Sequence, residues 1–216
     1  MTATTKTIAS RFRRFLPVVI DVETAGFDPR RHALLELAAV TVTMDDAGVI
    51  YPDESLSFII QPHEGAEMEA SALAFTGIDP YHPERNAVHE RDALQSLFAV
   101  VARQVRKQQC TRAILVGHNP SFDLGFLLAA AERNRIGKHP FHGFCTLDTA
   151  TMGALAYGET VLAKAAMASG MTWDNRQAHS ALYDAEQTAR LFCTIVNQWP
   201  LARPGAGISS PVPESP

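Results

Sequence analysis

Asp21 and Glu23 in VVIDVETAGFD, Asp123 in GHNPSFD, and His179 with Asp184 in AHSALYDAE are the residues whose types and spacing could do chemistry. The acids fall at three separated places, each beside hydrophobic sequence, as expected of a cluster that folding assembles. On a strand, Asp21 and Glu23 lie two apart and emerge from the same face. Like charges held together repel, and burying them unpaired is expensive, so a bound cation resolves both problems. All-oxygen ligation selects a hard ion, Mg²⁺ with Mn²⁺ as the alternative, over zinc. His179, five residues before Asp184, adds a group that can take a proton near neutral pH. The set is what hydrolysis of a phosphodiester by divalent metal requires, so the chain reads as an enzyme.

Two ions roughly 4 Å apart would clamp the scissile phosphate, one activating water and the other stabilising the leaving 3′-oxygen. Asp21 is the natural bridge between them, Glu23 and Asp184 complete the shells, and Asp123 acts directly or through water. Neutral His179 would take the proton from the attacking water. Each residue also has an ordinary role. D-x-E suits a salt-bridged edge strand, Asp123 a first-turn acid favoured by the helix dipole, and Asp184 a solvated surface. A lone histidine is usually structural. The joint occurrence of all five in this order carries the argument. His118, in the HN pair, reads as positioning its loop, and the remaining histidines have no metal-site spacing.

The elements that must position these groups follow from periodicity. Pro17–Glu23 is a buried-strand pattern, Ala33–Thr43 a second strand and, after a turn at Asp45–Gly48, Ser55–Gln61 a third. These predict an antiparallel meander. A short helix spans Ser71–Phe75, and Val88–Lys107 is a longer amphipathic one. Ala113–Val116 is a buried strand, parallel to the first because a long helix precedes it. Asn119-Pro120 suits an N-cap with proline at the first helical position, opening a helix to about Arg135. Thr146–Tyr157, Glu159–Ala168 and Ser180–Asn197 read as further helices. The fold class is α/β, a mixed central sheet flanked by helices. One catalytic domain over 8–200 is expected, then a disordered Pro-rich tail over 201–216.

Apolar residues make up 46% and charged residues 19% of the 216, a balance that excludes a wholly disordered chain. No apolar run approaches the ~20 residues of a membrane helix, and no signal-peptide core is evident, so a cytoplasmic location is expected. Cys110, Cys145 and Cys193 are scattered, which argues for reduced thiols and against a disulfide framework or zinc site. The net charge of −4 excludes a polycation, although two divalent cations would offset it. The basic residues cluster at Arg11–Arg14, at Arg103–Arg112 and at Arg133–Lys138.

DVETAG, HNPSFD and HSALYD resemble the three motifs of the DEDD 3′→5′ exonucleases, in the branch with histidine before the last aspartate. The likeness covers about residues 10–199 and also includes RFRRF, ALAFTGIDP, TRAILVGHN, AAAER and PFHGF. It implies a ribonuclease H-like sheet and carries the metal roles onto Asp21, Glu23, Asp123 and Asp184, and the base role onto His179. It implies a homodimeric, Mg²⁺-dependent exoribonuclease. Such enzymes trim single-stranded 3′ ends of transfer RNA, including CCA-end turnover, and of other stable RNA precursors, releasing nucleoside 5′-monophosphates. Single-stranded DNA ends are implied substrates as well. A proofreading-type DNA exonuclease or an oligoribonuclease of the same branch is the alternative.

The resemblance further implies that Phe27, Phe75, Phe122 and Phe144 sandwich terminal bases, where stacking is worth ~1–3 kcal/mol per base. Phe122 also begins an apolar helix and Phe27 sits in a polar loop, so these two are expected to differ most in burial. Arg11, Arg13 and Arg112 match RNA-binding arginines, with Arg14 additional, in a patch that feeds RNA to the partner subunit's site. An expected lysine falls at Gly137, with Lys138 adjacent. The resemblance also implies a reluctance to remove terminal cytosines, and where the family pattern has a glutamate contacting the terminal base, this chain has Ser71. Serine can donate as well as accept, whereas an ionised glutamate only accepts.

Overall fold

A computed structural model of the protein describes residues 7–199. Its centre is β1 (Phe15–Thr24), a β-branched run buried on both faces and therefore interior to the sheet. On one side lie β2 (Leu34–Met44) and β3 (Ile50–Ile59), and on the other β4 (Arg112–Gly117) and β5 (Phe141–Asp148), in the order β3-β2-β1-β4-β5. β1–β2 and β2–β3 are antiparallel, whereas β1–β4 and β4–β5 are parallel. The parallel pairs need crossovers, supplied by α3 (Glu90–Lys107) before β4 and α4 (Ser121–Arg133) after it. The long C-terminal α7 (Ala181–Gln198) packs across β1, β2 and β3. The expected mixed sheet, meander and parallel fourth strand are all present.

The smaller helices are α1 (Ile8–Arg11), α2 (Ala70–Thr76), α5 (Thr149–Tyr157) and α6 (Leu162–Ala168). The periodicity reading did not anticipate α1, one turn closed by a Thr7–Ser10 capping box. β3 begins at Ile50 rather than Ser55. Its Pro52 is tolerated because β3 is an edge strand.

The largest correction is β5. Thr146–Asp148, expected to open a helix, instead pair with Leu115–Gly117, and Asp148 caps α5 by accepting from the N–H groups of Ala150 and Thr151. Asn119 is corrected too. It adopts a left-handed φ of 66° and makes no side-chain cap, while Pro120, at φ −63°, leads directly into α4.

The main core joins β1, β2 and β4 to α3, α4 and α7, with Phe126, Phe141 and Phe192 among its fully buried side chains. Cys110 and Cys193 are buried, and all three cysteines are free. Among the described residues no helix is long and apolar enough to cross a membrane. The tail expected over 201–216 lies outside the described residues.

Candidate active site

β1 carries Asp21 and Glu23 on one face, in the middle of the sheet. Asp123 comes from the first turn of α4, immediately after β4 and its short loop, and accepts the Val22 N–H at 3.1 Å. That bond ties the α4 terminus to the strand between the two acids. Asp184 stands in the first turn of α7, and its Oδ2 accepts the His179 N–H at 3.1 Å, which folds the loop before α7 back over the site. Ligand atoms of Glu23, His179 and Asp184 lie within 4.8 Å of one another. Asp21, Glu23, Asp123, His179 and Asp184 all line one cavity of about 440 Å³. The five residues singled out from the sequence are thus brought together.

The electrostatics of this cluster are unfavourable as it stands. Burial, then repulsion from Asp123, Asp184, Glu23 and Glu36, pushes the Asp21 carboxyl well above its ordinary range. Burial, then Asp184, Glu36 and Asp123, raises Glu23 to about 8. Burial raises Asp123 to about 7 against the opposing backbone hydrogen bonds, and raises Asp184 against the opposing His179 contacts. Among the described residues no lysine or arginine lines the cavity. The buried Asp184 Oδ1 has no hydrogen-bond partner among the described residues. Convergent carboxylates, raised affinity for protons and an unpartnered Asp184 oxygen together fit a divalent cation bound by oxygen.

Exposed aromatics border the acids. Phe27, in the loop after β1, is 77% exposed, and Phe75, on α2, is 67% exposed, so core packing accounts for neither. Phe122 also lines the cavity but packs partly on the core, against Phe126 at 5.0 Å between ring centroids. Phe27 meets Phe122 edge-on at 6.1 Å, and Phe75 lies 4.3 Å from the His179 ring.

Phe144 is exposed but is not among the cavity-lining residues. It sits where the six residues Phe141 to Thr146 of β5 span the distance of only the three residues Ala113 to Leu115 on β4. His142 Nδ1 accepts from the N–H groups of Phe144 and Cys145 and holds that bulge. His118 lines the cavity, yet both ring nitrogens are engaged, with Thr149 Oγ1 at 3.1 Å and the Thr160 carbonyl at 2.7 Å, and burial lowers its pKa. It ties the loop to α5, as the sequence suggested.

Sequence reasoning missed Glu36. It stands opposite Glu23 across the β1–β2 ladder and accepts the Ala181 N–H at 3.2 Å, so it binds the start of α7 to the sheet and adds its charge to the cluster. The available signal was one acid inside an otherwise apolar strand, ALLELAAV.

The arginines lie elsewhere. Arg112 pairs with Phe15 at the far end of β1, six residues or about 20 Å from Asp21. Arg13 and Arg14 are exposed beside it, both with left-handed backbone. Arg11 donates to the Val196 and Trp199 carbonyls at the α7 C-terminus, so its guanidinium also has a structural partner.

Comparison with known proteins agrees with this geometry. The exonuclease family model matches residues 18–192, so fold and site define the chain as an exonuclease. Exonuclease I of E. coli in complex with a dT13 oligonucleotide has a TM-score of 0.64 at 18% identity, over 84% of this chain and 41% of its own. This chain therefore spans about two-fifths of exonuclease I. A 3′-exonuclease that recognises the histone mRNA stem-loop has a TM-score of 0.65 at 15% identity, over 85% of this chain and 82% of its own. Both share the ribonuclease H-like fold. Ribonuclease T of Hahella chejuensis is 55% identical over 192 residues, covering 89% of this chain and 88% of that protein. Ribonuclease T of Citrobacter koseri is 54% identical over 207 residues, 96% and 95% of the two chains. The chain belongs to the ribonuclease T family.

Proposed function

We propose that the protein is a 3′→5′ exoribonuclease that removes single nucleotides from unpaired 3′ ends of transfer RNA, including CCA ends, and of other stable RNA precursors, in the cytoplasm. Single-stranded DNA ends are a second substrate. The observation that carries this reading is one cavity holding four carboxylates and His179, bordered by the exposed rings of Phe27 and Phe75. Exposed rings suit unpaired bases, because stacking needs a base free of its duplex.

Asp21, Glu23, Asp123 and Asp184 are the residues that would hold two divalent ions, Mg²⁺ or Mn²⁺, which when bound supply Lewis acidity at the scissile phosphate. Neutral His179 takes the proton as the water oxygen attacks phosphorus. The bond to the 3′-oxygen breaks, releasing a nucleoside 5′-monophosphate. Phe27, Phe75 and Phe122 hold the last bases, with Phe144 contacting the strand outside the cavity. Residues 8–200 form the catalytic domain. Arg13, Arg14 and Arg112 lie some 20 Å from the acids of their own chain, which favours a homodimer in which they, with Arg11, deliver RNA to the partner's cavity.

Digestion of a 5′-labelled transfer RNA with an overhanging 3′-CCA end tests the reading. Stepwise shortening that stops near the duplex with Mg²⁺, and none with EDTA, is expected. RNA binding without shortening would reject an enzyme, and digestion through the duplex would reject the single-strand preference.

Ser71 adds a further expectation. It lies on the cavity wall one turn before Phe75, in the position of the family's glutamate. A hydroxyl both donates and accepts, so the penalty against a terminal cytosine should shrink in this enzyme. Trimming rates on strands ending in A and in C measure it. A full penalty against C that persists unchanged on Ser71→Glu would exclude the role.

A further inference from the structure

His32 is a buried residue outside the cavity, and it touches both segments that carry the exposed rings. Residues 25–28 form the loop that presents Phe27, and Glu69 is the N-cap residue of α2, which presents Ser71 and Phe75. The His32 Nδ1 accepts the Asp28 N–H at 2.9 Å, immediately after Phe27. Its ring also fills the space over Gly26, immediately before Phe27, where a built Cβ would lie 2.5 Å from His32 Cγ. Gly26 combines that approach with φ of 154°, so glycine is required there twice over. The imidazole thus grips the residues on either side of Phe27. Because Nδ1 is an acceptor, the proton of the neutral ring is on Nε2, which faces Glu69 Oε1 at 3.2 Å.

Other contacts make the two segments one unit. The Glu69 N–H donates to the Ala25 carbonyl at 2.8 Å. Ala25, Ala33 and Leu35 form a small core with Met68, Leu73 and Ile78, separate from the main one. Arg31 forms a two-pronged ion pair with Glu67, but both side chains are more than half exposed, so this pair contributes little. Within the unit, His32 is the one 7%-exposed side chain whose two ring nitrogens face the two different segments.

We infer that His32 is a positioning residue that, through Asp28 and Glu69, sets the placement of Phe27 relative to Phe75 and thereby the hold on the terminal base. The inference rests on the proposed stacking of terminal bases on those rings. It extends that reading to a residue that touches no substrate and contributes no ligand. Rings placed in advance lose little freedom when a base enters, so loosening the tie weakens substrate capture rather than the chemical step.

The test is steady-state kinetics on a single-stranded RNA and on the same RNA lacking the base of its 3′-terminal nucleotide. His32→Ala should raise KM about five- to tenfold on the intact strand, leave kcat within about twofold, and change little on the abasic strand. His32→Asn keeps an acceptor for the Asp28 N–H but not the reach to Glu69, and should fall between. Glu69→Gln keeps an acceptor for Nε2 and should restore what Glu69→Ala loses, while Arg31→Ala should match the parent. If His32→Ala does not fold, the two Glu69 variants give the same reading.

An equal KM increase on intact and abasic strands, or a fall in kcat tracking lost thermal stability, would overturn the inference. Phe27→Ala and Phe75→Ala separate the two levels. If they raise KM only on the intact strand while His32 and Glu69 variants do not, stacking holds and the positioning role fails. If they do nothing, stacking itself fails and the inference with it.

Discussion

Replacing His179 by alanine should lower kcat by about 10²- to 10⁴-fold while divalent-metal affinity stays within a fewfold of the parent, the range expected for a lost general base. His179 lies exposed at the rim of the acidic cavity, beside Glu23 and Asp184 and against Phe75. Its contact with Asp184 is made by the backbone N–H, which survives any side-chain change. The position has a left-handed φ of 66°, which asparagine tolerates better than alanine. His179→Asn should therefore lose as much activity with less disturbance of the loop. Single-turnover cleavage reports the chemical step, and calorimetric titration with Mn²⁺ reports the site. Metal affinity falling in parallel with cleavage would make His179 a ligand instead of a base.

The second large effect is on stability. The Glu23 carboxyl is raised from an ordinary 4.5 to about 8, and Asp123 from 3.8 to about 7. A raised carboxyl pKa means that the folded protein holds its proton more tightly than the unfolded chain. Between the two values the unfolded state ionises first, so stability falls as pH rises from about 4.5 and is lowest above about 8. For Glu23 alone the loss at pH 7 is about 3 kcal/mol. The carboxyls repel one another, so their contributions do not simply add.

In EDTA, Tm should fall steadily from about pH 5 to pH 8, and Mg²⁺ should flatten that slope by binding only the folded chain. Glu23→Gln removes the ionisation. It should raise Tm in EDTA at pH 7 by roughly 6–12 °C while abolishing cleavage, since a chain of this length shifts ~2–4 °C per kcal/mol. An EDTA melting curve insensitive to pH, or a Gln variant melting below the parent, would contradict the proposed repulsion.

Much of this arrangement was legible in the sequence because its strongest elements are local. VVIDVET states its strand and the shared face of its acids within a few residues, and the separation of β1 from β4 by a long helix states that they run parallel. β5 was not legible. FHGFCTLD acquires its strand from pairing with β4 nearly thirty residues away, and its middle leaves the ladder, so alternation is broken where it would have been read. Glu36 was hidden for a similar reason. Its importance comes from standing opposite Glu23 and beneath Ala181, neighbours that exist only after folding. Asn119 carried a cap-like identity, but its tolerance of left-handed backbone decided its conformation. Arg11 read as one of a basic group, and the carbonyls it meets at the end of α7 lie 185 and 188 positions away.

The dispersal of the acids along the chain also sets when the protein becomes active during its own synthesis. Asp21 and Glu23 leave the ribosome early and Asp123 midway, but Asp184 stands in α7, the last described helix, which must then dock across β1, β2 and β3. A nascent chain ending before α7 has the whole sheet, Asp21, Glu23 and Asp123, yet lacks the closing carboxylate Asp184 and the helix that fixes the loop of His179. Domains fold as units when their last packing element arrives. On the proposed roles, an enzyme that consumes free 3′ ends would stay inert beside the messenger from which it is being translated until α7 has been made and has docked.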